Sequence, residues 1–176
     1  GLGIPAEPLF RSSYPSVDDI YSYSDSDFSK NTKKQTATFN GSKYSETINV
    51  TNELDDYTKT ISGGNGTNTY NINSTGKVTI NGGSGVDIVN ITNLGNATIN
   101  TGAGDDVIDS GSGNDTINAG DGKDSITGGL GDDKLTGGKG EDTFIFNDGD
   151  GVDTITDATD EDIERFWITV DGLATE

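Results

Sequence analysis

Apolar side chains recur every nine residues through the second half of this 176-residue chain, at Ile108, Ile117, Ile126, Leu135 and Phe144. That spacing is neither the 3.6 of an amphipathic helix nor the sustained alternation of a long strand, so it marks an internal repeat. From 101 to 145 five nine-residue copies run without a gap, as TGAGDDVID, SGSGNDTIN, AGDGKDSIT, GGLGDDKLT and GGKGEDTFI. Each has Gly at its second and fourth places, Asp at its sixth and an apolar residue at its eighth. The residues after each aspartate, such as Val107, Ile108 and Asp109, form a short strand whose middle side chain points opposite to its neighbours. Nine residues make half a coil. Two halves return the chain to the same side, so alternate repeats stack and the apolar residues form a thin core between two parallel sheets. The pattern predicts an all-β parallel solenoid with very short strands.

The turns between the strands carry the chemistry. Glycines two apart permit a tight turn and leave its carbonyl oxygens uncovered by side chains. The aspartates, Asp106, Asp115, Asp124, Asp133 and Asp142, stack with the turns. Between Asp87 and Asp162 lie sixteen Asp and two Glu against Lys123, Lys134 and Lys139, in a chain of net charge −19. Stacked carboxylates need cations. Carboxylate and carbonyl oxygens in a flexible, many-ligand site favour Ca²⁺ over Mg²⁺. The chain has no His and no Cys, which disfavours zinc and copper.

The segment GGSGVDIVN at 82–90 fits the nonapeptide GGxGxDxUx at every position and resembles the RTX (repeats-in-toxin) family. The resemblance implies a right-handed parallel β-roll or β-helix that binds calcium, covering 82–155 well, 41–81 loosely and 1–40 not at all. It implies that each ion lies between stacked turns, held by repeat aspartates and glycine-turn carbonyls. Carried over to this chain, those residues are Gly83, Gly85, Asp87, Gly102, Gly104, Asp106, Gly111, Gly113, Asp115, Gly120, Gly122, Asp124, Gly129, Gly131, Asp133, Gly138, Gly140, Asp142 and Asp153. They fall into two columns. Asp87, Asp106, Asp124 and Asp142 make one, with three inter-turn sites; Asp115, Asp133 and Asp153 make the other, with two, so about five Ca²⁺ ions are expected. Ala97 stands where the second column needs an Asp below Asp115. The last repeat, DGDGVDTIT at 148–156, follows an insertion of Phe146 and Asn147 that distorts or exposes the Asp133 to Asp153 site. GGNGTNTYN at 63–71 has Asn68 at the ligand place, giving either a weak site with Asp87 or merely a turn.

Four segments follow. Residues 82–156 are the calcium-binding roll. In 41–81 the period persists through Ile48, Ile61, Tyr70, Ile80 and Val89, while the ligand places hold Glu46, Lys59, Asn68 and Val78. These read as calcium-poor coils with an interior of stacked apolar side chains and polar Asn and Thr ladders; the alternative for 41–62 is an irregular polar linker. Residues 1–40 show no sustained period and read as an irregular arm or linker in which Tyr14, Tyr21, Tyr23 and Phe28 are available for packing. Residues 157–176 read as a C-terminal cap in which Ile163, Phe166, Trp167, Ile168 and Val170 cover the open end. Asp157, Asp160 and Asp162 either finish a last calcium site or begin a solvated acidic helix. The secretion signal that the family usually carries at this end is expected to be partial.

With an apolar fraction of 29%, the chain has little material for an ordinary core. Together with the absence of Cys and of any transmembrane run, this points to a secreted, extracellular protein, at the cell surface of a bacterium if it belongs to a surface layer. Catalysis is not expected: there is no His, no nucleophile with a partner, no phosphate loop opening a helix and no Asp-Pro bond. The charge excludes nucleic acid, and no apolar or amphipathic segment suggests membrane insertion. The resemblance implies Ca²⁺ and a type I secretion machinery as partners, with self-association or a cell-surface polysaccharide left open. Two roles remain: the structural C-terminal part of a surface-layer protein or adhesin, and the secretion and folding domain of an exported enzyme or toxin.

Overall fold

A computed structural model describes residues 19–23, 36–40, 43–51, 58–92 and 95–167. Among them every strand pairing is parallel, and successive strands alternate between two sheets. The first sheet has eight strands: β1 (Asp19–Tyr23), β3 (Glu46–Thr51), β5 (Asn68–Asn73), β7 (Asp87–Ile91), β9 (Val107–Asp109), β11 (Ser125–Thr127), β13 (Thr143–Asn147) and β15 (Ile163–Trp167). The second has seven: β2 (Thr36–Asn40), β4 (Thr58–Gly64), β6 (Val78–Ser84), β8 (Ala97–Ala103), β10 (Thr116–Asp121), β12 (Lys134–Lys139) and β14 (Thr154–Ile155). This is the parallel β-roll expected from the nine-residue period, with no helix among the described residues.

Register places the periodic apolar residues in two facing stacks. Val89, Ile108, Ile126 and Phe144 are paired partners in the first sheet; Ile61, Ile80, Ile99, Ile117, Leu135 and Ile155 are paired in the second. All are buried except the half-buried Ile155. Core composition changes along the roll. β3, β5 and β7 each turn two large apolar side chains inward, Ile48 with Val50, Tyr70 with Ile72, and Val89 with Ile91. At β9 and β11 one remains, and the next inward places are Ser110 and Gly128; β13 again has two, Phe144 and the partly buried Phe146. Each such loss removes roughly 1.5–3 kcal/mol of burial, so the later coils need another source of cohesion.

The coils extend further toward the N-terminus than the pattern of the sequence suggests. β1 and β2 lie within the first forty residues and pair with β3 and β4, so the irregular reading of 1–40 gives way at those two strands. The linker alternative for 41–62 gives way where β3 and β4 form. Tyr14 and Phe28 lie outside the described residues. The polar ladder of the N-terminal coils runs on the outer face, not the interior: Asn71 Nδ2 donates to Asn49 Oδ1 at 2.9 Å, and Asn90 Nδ2 to Asn71 Oδ1 at 3.0 Å. These residues alternate with buried Ile48, Val50, Tyr70 and Ile72, so the pleat turns them outward. At the other end β15 lies parallel on β13 as one more strand, with Ile163 48% exposed; Ile168 and Val170 lie outside the described residues.

Candidate metal centre

Two rows of turns run along the edges of the roll. One row joins the second sheet to the first and includes 82–85, 101–104, 119–122 and 137–140; the other joins the first sheet to the second and includes 110–113, 128–131 and 148–151. The glycines at the second and fourth places all have positive φ, as in Gly102 at 109° and Gly104 at 145°. Except at Gly149, they are also pressed against the turn below: a Cβ on Gly120 would collide with the Gly102 carbonyl oxygen, and one on Gly122 with that of Gly104. Glycine is therefore required on two counts. The turns are tied by their own backbone, with Gly85 N donating to Ala103 O at 2.6 Å and Gly122 N to Lys139 O at 2.8 Å.

The aspartates that follow these turns form the two expected columns. In the first, Oδ1 of each carboxylate accepts the N–H of its counterpart one coil earlier: Asp87 N to Asp106 at 2.7 Å, Asp106 N to Asp124 at 2.8 Å and Asp124 N to Asp142 at 3.0 Å. In the second, Asp115 N donates to Asp133 at 2.7 Å and Asp133 N to Asp153 at 3.0 Å. The insertion at Phe146 and Asn147 therefore leaves the register intact, though Asp153 is only half-buried. Ala97 ends the second column below Asp115, and its N–H donates to Asp115 Oδ1 at 2.6 Å.

The other carboxylate oxygen is the informative one. Oδ2 of Asp87, Asp106, Asp115, Asp124, Asp133 and Asp142 is buried and accepts no hydrogen bond. It fills the space beneath its own turn, so a Cβ on Gly82, Gly128 or Gly137 would strike Oδ2 of Asp87, Asp133 or Asp142. Burial pushes the Asp87 and Asp124 carboxyls up to about 7, and those of Asp115 and Asp133 up to about 6. Asp106, Asp142 and Asp153 are raised for the same reason. An ionised carboxylate without a partner is several kcal/mol unfavourable in such a place, so it takes up either a proton or a cation. Among the described residues no three acidic side chains converge on one point, so an ion held here leans on turn carbonyls as well as on carboxylates. That donor set is hard, all-oxygen and adaptable, which suits Ca²⁺.

The repeat pattern of the RTX calcium-binding nonapeptide is matched in four copies, across 74–90, 91–126 and 118–153. These coils belong to the RTX family. No curated protein is matched by the chain. The RTX repeats bind Ca²⁺, and their β-roll is a structural calcium-binding domain, not a catalytic one. RTX repeats are typical of secreted proteins, and among the described residues no helix is long and apolar enough to cross a membrane.

Several residues of the edges escape the nonapeptide pattern. Asp162 continues the first column, accepting Asp142 N at 3.1 Å with Oδ1 and Thr159 N at 2.7 Å with Oδ2. Asp157 accepts the N–H of Gly137 at 3.0 Å and of Gly138 at 2.7 Å. The acidic helix start is thereby replaced by a turn leading into β15, whose two inward carboxylates are already satisfied by backbone donors. Ser110 and Thr101 occupy the first turn place and tie to the next coil, Ser110 Oγ to Gly128 O at 2.6 Å and Thr101 Oγ1 to Ala119 O at 3.0 Å. Asn68 occupies the ligand place below Asp87, donating to its Oδ1 from both the backbone N at 3.1 Å and Nδ2 at 2.8 Å.

Proposed function

We propose that this chain is a calcium-dependent folding module of a secreted protein, and that it serves as a structural part of a surface-layer protein or adhesin. The observation that carries the calcium switch is the double column of buried carboxylates with unpartnered Oδ2 atoms. Five inter-turn slots follow from it, between Asp87 and Asp106, Asp106 and Asp124, Asp124 and Asp142, Asp115 and Asp133, and Asp133 and Asp153. Ligands at each are the paired carboxylates and the carbonyls of the flanking glycine turns.

The energetics support folding outside the cell. A site with a dissociation constant near 10⁻⁴ M in millimolar Ca²⁺ adds roughly 1.4 kcal/mol, and five add about 7 kcal/mol, comparable to the stability of an ordinary domain. In submicromolar Ca²⁺ that contribution vanishes while the repulsion remains, so the carboxylate-bearing coils stay unfolded and can be threaded through a type I secretion machinery.

The outer faces support the surface role. Charge is concentrated at the turns, whereas the second sheet presents Thr60 and Ser62, Thr79 and Asn81, Thr98 and Asn100, and Thr116 and Asn118 on successive strands. This uncharged stretch of the second sheet, from β4 to β10, lets neighbouring copies or a cell-surface polysaccharide approach a chain of net charge −19 without strong repulsion. The alternative role, secretion and folding domain of an exported enzyme or toxin, uses the same switch. A calcium titration followed by circular dichroism and light scattering tests both levels: β-structure gained cooperatively with Ca²⁺ and lost with chelator supports the switch, and mass growth in the same samples supports the surface role. Structure indifferent to both reagents overturns the proposal.

A further inference from the structure

The ligand columns continue below the calcium repeats, and what fills them there is supplied by the chain itself. In the second column the register runs from Ala97 to Val78 and then to Lys59. Lys59 is 2% exposed, and its Nζ donates to Ser74 Oγ at 2.9 Å, with Ser74 1% exposed in the turn leading to β6. An ammonium group thus sits in the same edge that holds Asp115 and Asp133 three and four coils later. In the first column, the buried Asn68 gives two hydrogen bonds to Asp87 where a repeat aspartate would bring a second negative charge. The buried Tyr70 hydroxyl lies under the turn at Gly63, the place that Oδ2 takes under Gly82.

We infer that residues 58–91 form a calcium-independent foundation for the roll, in which the Lys59 ammonium stands in the place of a metal ion. A tethered cation is present at the same effective concentration whatever the surrounding Ca²⁺, so the coil it holds carries no mass-action dependence on the ion. The doubled apolar layer supports this: Ile48, Val50, Tyr70, Ile72, Val89 and Ile91 provide, strand by strand, the cohesion that later coils draw from carboxylates and ions. In a solenoid each coil is stabilised by its neighbours. A preformed edge at β6 and β7 therefore spares the first calcium coil the cost of nucleation, and ion-driven folding proceeds from that edge toward the C-terminus.

Hydrogen exchange of the full chain, read by mass spectrometry in excess chelator and in millimolar Ca²⁺, tests the inference. In chelator, peptides covering 58–91 stay protected while those covering 107–147 exchange as unfolded chain; Ca²⁺ then protects both. Lys59→Met loses the protection of 58–91 in chelator, and Lys59→Arg retains most of it. Asn68→Asp places a second carboxylate beside Asp87, so protection of 58–91 becomes dependent on Ca²⁺ and is restored by adding it. Unfolded-rate exchange across 58–91 in chelator overturns the inference, as does a Lys59→Met or Asn68→Asp chain still protected there. The inference uses the calcium switch only for the later coils: protection of 107–147 in chelator defeats the switch alone, and the Lys59→Met comparison still decides the role of the ammonium.

Discussion

Asp124 lies in the middle of the first column and borders two inter-turn slots, toward Asp106 and toward Asp142. Asp124→Asn preserves the shape and keeps an oxygen to accept the Asp106 N–H, but removes the charge. In Ca²⁺ at tenfold the dissociation constant, two weakened slots cost about 3 kcal/mol, roughly a hundredfold in the ratio of folded to unfolded chain. In chelator the sign reverses. The wild-type carboxyl is raised from 3.8 to about 7 by burial, so at neutral pH its ionised form opposes folding; with solvent screening discounted this amounts to about 2 kcal/mol, which the variant regains. Asp115→Asn provides the internal calibration, because Ala97 leaves that residue bordering a single slot; its calcium-dependent loss is about 1.4 kcal/mol, half that of Asp124→Asn. Urea unfolding followed by circular dichroism at fixed Ca²⁺ reads the two losses, and the β-structure left in chelator, compared between wild type and variants, reads the reversed sign. Equal destabilisation of Asp124→Asn in both conditions refutes the reasoning, since the carboxylate would then be structural and indifferent to the ion.

The raised carboxyls also set a pH dependence. Asp87, Asp115, Asp124 and Asp133 titrate near 6 to 7 in the roll against 3.8 ordinarily, so the folded state binds more protons across that window and apo stability falls as pH rises through it. In chelator, β-structure by circular dichroism is expected to be greater at pH 5 than at pH 8; the opposite trend contradicts the assignment. With calcium present, binding displaces protons, and the Ca²⁺ midpoint is expected to rise as pH falls from 7 to 6, with proton release seen by calorimetry in buffers of different ionisation heat. Gly120→Ala adds a side chain at φ 119° against the Gly102 carbonyl, and a loss of about 1–3 kcal/mol is expected in thermal unfolding with Ca²⁺. Ala97→Asp extends the second column by one coil; equilibrium dialysis is expected to count one more ion per chain than in wild type, together with about 1.4 kcal/mol more stability in Ca²⁺.

The calcium-bearing half of the roll was legible because its period is strict. Coils from Asp106 onward repeat at 18 residues up to Asp142, and that regularity by itself fixes both the columns and the burial of Ile108, Ile117, Ile126 and Leu135. The first coils were harder to see because nothing forces their turns to a constant length. Where no ion must be coordinated the chain between strands can vary, so β1 and β2 carry the solenoid without its nonapeptide signature. Lys59 and Glu46 show the limit of pattern reading: each stands at a ligand place by spacing, yet only three-dimensional packing shows that both are buried, at 2% exposure each. Asp162 escaped a firm assignment because DATDED lacks the turn glycines; its place in the column rests on the pairing of β15 with β13. The side on which the Asn ladder runs is not specified by composition, whereas the alternation with Ile48 and Val50 specifies it.

That parity bears on how such a chain can change length. Strands alternate between the two sheets, so one nonapeptide is half a revolution and two are a full one. Duplicating or deleting two repeats leaves every downstream residue on its original sheet, merely translated along the axis. A change of one repeat transfers everything that follows to the opposite sheet. The Asp162 turn and β15 would then cap the column begun by Lys59, while the outward rows of β3 to β8 stayed where they are. Even steps therefore lengthen the molecule while conserving what each broad face presents, and odd steps exchange the faces of one end relative to the other.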